Sequence, residues 1–233
     1  MLSKGPLQML LIIGLIIPGL GLQAQDSENF QWFQYYVQKD FKNHFNWKVD
    51  GGYRFRSFLN ETTQYLTRTS IGIQVSPQIE WSAGFAHLGY LSSAVVFRYE
   101  WRPHIELNLM QETKWLEVNH RIRTELRHFR DVVLQQETKS KYSNRLRPRY
   151  RLMTTIRGEN TSWSLNIGNE LLIHISNGEK KVNFNQNRVV IGPEFNFTEH
   201  CSVSFTMNFQ QTARLEGSHR NDFIFWFAFR HKL

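Results

Sequence analysis

Residues 120–127 read His-Arg-Ile-Arg-Thr-Glu-Leu-Arg. Arg121, Arg123, Glu125 and Arg127 fall on one parity, with Ile122, Thr124 and Leu126 on the other. Side chains of an extended strand alternate between two faces, so this stretch reads as a strand with one charged surface. After a polar connector, Arg145, Arg147, Arg149 and Arg151 repeat the pattern opposite Leu146, Tyr150 and Leu152. Joined as a hairpin, the two runs put seven arginines and one glutamate on a single face. On the outside of a soluble sandwich, arginines facing each other across strands repel and gain nothing. Inside a barrel they meet water and carboxylates from other strands. Glu106, Glu112, Glu170 and Glu194 hold the polar parity of their runs and are the expected partners. The pattern predicts an all-β chain: a transmembrane antiparallel up-and-down barrel, polar within and apolar without.

The same period extends in both directions. Trp163, Leu165, Ile167, Leu171, Ile173 and Ile175 alternate with polar residues, as do Val203, Phe205, Met207 and Phe209 with Ser202, Ser204, Thr206 and Asn208. Turn-type clusters divide the chain into eleven runs: Phe30–Phe41, Phe45–Phe58, Thr62–Ser76, Ile79–Tyr90, Phe97–Gln111, Trp115–Arg130, Asn144–Ile156, Ser162–Ile175, Asn187–Phe197, Ser202–Thr212 and Asn221–Leu233. Short and longer connectors alternate, as periplasmic turns and outer loops do. Single-chain bacterial barrels use even strand numbers. Twelve strands are therefore expected, with ten as the alternative. The misread boundary is expected in Leu91–Leu116, where Pro103 interrupts the pattern, or before Phe30.

The ends of the chain carry separate signals. Lys4, an apolar stretch from Leu7 to Leu22 and the sequence Gln23-Ala24-Gln25 read as a secretory signal cleaved after Ala24. The expected division is a signal peptide over 1–24 and an outer-membrane barrel over 25–233. Phe223, Phe225, Phe227 and Phe229 occupy alternate positions close to Leu233. Last strands of outer-membrane barrels resemble this, which implies recognition by the barrel-assembly machinery. Seven tryptophans (Trp32, Trp47, Trp81, Trp101, Trp115, Trp163 and Trp226) are candidates for the aromatic girdles against outer-membrane lipid.

Composition removes other classes. The 233 residues carry a formal net charge of +8 and one cysteine, Cys201. One cysteine excludes an intrachain disulfide framework and a cysteine-rich zinc site. A mean hydropathy of -0.46, with no second long apolar run, excludes a helical membrane bundle. Nine histidines show no ligand spacing, and His120 and His128 lie on the opposite parity from the arginines. Neither a metal site nor a cofactor is expected. Basic residues that alternate along strands of an exported chain exclude nucleic acid as a partner. A monomer is expected.

Several segments together resemble domain-of-unknown-function family 2490. They are Tyr53-Arg54-Phe55-Arg56, Tyr65-Leu66-Thr67-Arg68, the 120–127 strand, Arg145-Leu146-Arg147, Asn187-Arg188-Val189 and Asn221-Asp222-Phe223-Ile224-Phe225. The resemblance implies a small, signal-bearing outer-membrane barrel of Gram-negative bacteria and brings no established activity.

Two functional readings follow. The arginine face, Arg121 to Arg127 with Arg145 to Arg151, together with Glu170, forms a lumen track. It either concentrates and conducts anionic solutes, such as acidic sugars or phosphorylated compounds, or fills and stiffens the barrel. The alternative is a lipid hydrolase. His174-Ile175-Ser176-Asn177-Gly178 resembles a segment of outer-membrane phospholipase A and of lipid A deacylases. That resemblance implies Ser176 as nucleophile, His174 as base and Asn187 as the orienting residue. A polar Ser-Asn-Gly turn at a strand end accounts for the same residues without chemistry.

Overall fold

The computed structural model describes residues 27–42, 44–132, 142–176, 182–214 and 219–233. The segment read as a signal peptide, 1–24, lies outside the described residues. Among the described residues eleven strands form the fold: β1 (Ser27–Asp40), β2 (Phe45–Arg56), β3 (Glu61–Ser76), β4 (Ile79–Ser92), β5 (Val95–Glu112), β6 (Leu116–Asp131), β7 (Tyr142–Arg157), β8 (Trp163–Ser176), β9 (Val182–Asn196), β10 (Cys201–Ala213) and β11 (His219–Lys232). Each pairs antiparallel with its sequence neighbour, and β1 closes on β11 to complete a barrel.

The expected twelve strands, or ten, are corrected to eleven. No boundary within Leu91–Leu116 splits a strand: β5 runs through Pro103, which sits opposite Phe85. The eleven runs read from the pattern are the strands themselves, although β9 begins earlier than Asn187. An odd number is possible because the closing pair is parallel, from Ser27 opposite Asn221 to Gln38 opposite Lys232. An up-and-down chain with odd strand count has its first and last strands pointing the same way. Ser27 and Leu233 therefore stand at opposite rims. The turns at 57–60 and 93–94 share the rim of Ser27; the turns at 77–78 and 113–115 share that of Leu233.

Alternation along each strand gives two surfaces. Outward residues are apolar and solvent-exposed, among them Ile71, Val75, Trp81, Ile105, Trp115, Ile122, Trp163, Phe223 and Phe227. Inward residues line one central cavity of about 1910 Å³. Two of the expected girdle tryptophans are corrected: Trp32 is buried, and both it and Trp226 face the cavity rather than the exterior. On the other side of β1, β2 approaches so closely that a Cβ on Gly52 would lie 2.1 Å from the Phe33 carbonyl oxygen. Only glycine fits that position.

Candidate functional site

The candidate site is the lumen wall, where β6 and β7 carry the longest charged ladders. Arg121, Arg123, Glu125 and Arg127 point inward from β6, and Arg147, Arg149 and Arg151 from β7. Register places Arg121 opposite Arg151, Arg123 opposite Arg149 and Glu125 opposite Arg147. Hairpin pairing of two same-parity ladders makes this unavoidable, since side chains on one face of neighbouring strands meet in pairs.

Carboxylates tie these arginines into a lattice. Glu170 Oε1 accepts from Arg121 Nη2 at 2.6 Å and Arg149 Nη2 at 2.7 Å, while Arg188 Nη1 reaches its Oε2 at 3.2 Å. Glu125, 2 % exposed, accepts from Arg147 Nε at 2.9 Å and from Arg149 Nη1 at 2.5 Å. Glu106 holds Arg123 and accepts from Asn108 Nδ2 at 2.8 Å. Glu100, fully buried, takes Arg102, Arg127 and the Tyr90 hydroxyl. Asp50 accepts from Arg68 Nε at 2.7 Å. Charge-assisted bonds of this kind compensate the desolvation of both partners only when geometry is good and lone pairs are used.

The lattice is not neutral. Fourteen arginines and two lysines line the lumen, among them Arg54, Arg68, Arg102, Arg151 and Arg188, against eleven carboxylates, with Glu100 and Asp222 also buried. Arg54 and Arg151 make no ion pair among the described residues. Arg54 instead donates to Gln64 Oε1 at 2.6 Å and stacks over the Trp32 ring at 3.9 Å. Arg188 approaches the same ring at 5.5 Å. On β10 the wall presents neutral groups such as Ser204, Thr206 and Asn208, while β11 and β1 add Arg220, Asp222, Arg230, Lys232, Glu28 and Asp40.

Other expected residues sit elsewhere. Arg145 is exposed near a rim with its guanidinium 5.8 Å from the Phe129 ring. Of the expected carboxylate partners, Glu112 pairs with Arg157 at the opposite rim and Glu194 with Arg230 at 3.3 Å. His174 and Asn187 are not brought together. His174 Nε2 lies 3.1 Å from Arg127 Nη1 inside the lumen, and its cross-strand partner is Asn183. Asn187 stands opposite Leu171 on the outer wall, where its Oδ1 accepts from Asn169 Nδ2 at 2.7 Å. The Ser176 side chain, Asn177 and Gly178 lie outside the described residues.

Pattern reading missed Asp50, Arg54, Arg68, Glu100, Arg102 and Arg188 as lumen groups. Each is a charged residue on the polar parity of its own strand, and that parity was the signal that could have found them. Among the described residues no group of His, Cys, Asp or Glu could hold a metal ion.

Residues 30–221 match the family described as protein of unknown function (DUF2490). A search of the curated proteins finds no match.

Proposed function

The chain belongs to this family of proteins of unknown function, and we propose that it is a monomeric outer-membrane β-barrel whose arginine-lined lumen carries small anionic solutes. One observation bears most of the weight: fourteen arginines and two lysines line the lumen against eleven carboxylates, and adding the buried Glu100 and Asp222 still leaves cations in excess. A lattice that served only to fill the barrel would balance its charges, because a buried guanidinium without a counter-charge is costly. Mobile anions drawn from water supply the missing charge, and the focused positive field concentrates them.

Several features support the membrane setting. Large apolar side chains cover the outside, including Ile71, Val75, Ile105 and Trp163, far beyond what a water-soluble surface carries. The barrel closes on itself and leaves no strand edge for a second chain. The apolar segment before residue 25 suits export through a signal cleaved after Ala24. Phe223, Phe227 and Phe229 project outward from the last strand, as a signal to the assembly machinery would.

The deciding experiment is conductance of the purified, folded chain in planar bilayers, with reversal potential under a salt gradient. Discrete anion-selective steps are expected, with selectivity reduced in Arg123→Gln and Arg147→Gln. A folded barrel that gives no steps, or cation-selective ones, overturns the reading. Membrane fractions washed with urea should retain the protein, and its gel migration should change on heating; release by urea would refute the membrane setting.

A further inference from the structure

We propose that Arg151, with Arg121 beside it, forms a binding site for inorganic phosphate on the lumen wall. The inference rests on the anion reading above, in that solute must reach the lumen from water. Arg121 is the direct cross-strand partner of Arg151, and Arg123 of Arg149, so four guanidinium-bearing side chains share one patch. Three of them are held: Arg121 by Glu170 at 2.6 Å, Arg123 by Glu106 at 2.5 Å, and Arg149 by Glu125 and Glu170.

Arg151 is the exception. It lines the cavity and makes no ion pair among the described residues. Its register partner on β8 is Glu170, whose two oxygens already serve Arg121, Arg149 and Arg188. Among the described residues the Nε atoms of Arg151 and of Arg121 are both buried without a hydrogen-bond partner, that of Arg121 standing 3.7 Å from Glu106 Oε2. Like charges directly opposite each other across two strands are destabilising, and an unmet buried donor adds to the cost. A tetrahedral oxyanion between the two relieves both, because each guanidinium offers a planar fork of N–H donors that matches paired anion oxygens.

A second feature selects the anion. Asn119 lies two residues before Arg121 on the same face, lines the cavity, and has its Oδ1 buried without a donor. That atom can accept a hydrogen bond from the hydroxyl of hydrogen phosphate. Sulfate at neutral pH has no hydroxyl to offer.

The test is calorimetric titration of the folded chain in detergent micelles with inorganic phosphate at pH 7, and with sulfate in parallel. Phosphate should bind saturably and more tightly than sulfate. Arg151→Gln should weaken phosphate at least tenfold, while Arg98→Gln, remote at a rim, binds as the parent does. Asn119→Ala should bring phosphate down to the level of sulfate. Arg151→Lys, which keeps the charge and loses the fork, should fall between parent and Arg151→Gln, and it serves should the glutamine variant not fold. Absence of saturable phosphate binding, or equal affinity in parent and Arg151 variants, overturns the site. Anion-selective conductance without phosphate binding would remove this site and leave the channel reading standing. Phosphate binding by a non-conducting barrel would do the reverse.

Discussion

Trp32 and Trp226 meet edge to face across the parallel seam, with ring centroids 5.4 Å apart and planes inclined by 67°. Both face the lumen, and Arg54 lies over the free face of Trp32. The join on which an odd-stranded barrel depends is therefore backed from inside by two indoles and a cation. Aromatic pairs in this arrangement gain attraction beyond the area they bury.

Removing one indole should loosen the seam. Trp32→Ala is expected to lose about 3–5 kcal/mol, in the range for deleting a buried aromatic. Urea unfolding in micelles, followed by the gel mobility of the folded form, measures it. A variant as stable as the parent would show that the backbone ladder alone holds the closure.

Gly52 tests the packing of β1 on its other side, against β2. A Cβ there collides with backbone at Phe33, which has no flexible end to move aside. Gly52→Val should cost about 1–3 kcal/mol by overpacking. The matching change at Gly51, where a Cβ would meet only ordinary contacts at 3.6 Å and beyond, should cost distinctly less. Equal losses at the two positions would contradict the close-approach argument.

Glu125 is a hub that ties β6 to two arginines of β7. Glu125→Gln leaves Arg147 and Arg149 without its charge, and breaking a buried pair typically costs about 3–5 kcal/mol. Adding Arg147→Gln to Glu125→Gln should recover part of that loss. Thermal unfolding of the two variants decides the point. In bilayers the single variant, one negative charge poorer, should shift reversal potentials further toward anions.

Salt should weaken the preference for anions. Field effects of fixed charges are screened over about 10 Å at 0.1 M ionic strength and over about 3 Å at 1 M. Anion-to-cation permeability ratios, read from reversal potentials at a fixed concentration gradient, should therefore fall as the salt on both sides is raised through that range. A ratio that stays constant would mean that pore geometry, not the arginine field, sets selectivity.

Lipid hydrolysis provides a contrast. Asn187 turns to the outer wall while His174 engages Arg127 within the lumen. The triad implied by the phospholipase-like segment is thus not assembled by His174 and Asn187. Parent chain and Ser176→Ala should be alike in releasing no fatty acid from phospholipid vesicles. Release by the parent that Ser176→Ala abolishes would restore the hydrolase reading.

Parity explains how much of this was legible in advance. The ladders of β6 and β7 could be read because residues two apart on a strand share a face whatever the strand packs against. The same rule places Arg68, Arg102 and Arg188 on the inner face, but one or two arginines in a run do not stand out as a four-residue ladder does. The assignment of Trp32 to a girdle failed for a related reason. An aromatic residue suits either wall, and only its parity among Gln34 and Tyr36, also cavity-lining, marks it as inward.

By itself the sequence determined the strands, their two-faced character and the gathering of arginines on one surface. All three follow from the two-residue period of extended chain, which is a local property. The tertiary structure decided the closure and the partners. Whether eleven strands close depends on β1 finding β11 in parallel, a contact between the two ends of the fold that no local pattern encodes. Which carboxylate meets which arginine depends on register around the ring and on side chains that reach across the lumen. Glu170 thus binds Arg121 from two strands away, and Arg151, its direct neighbour in the sheet, is left without an ion pair among the described residues.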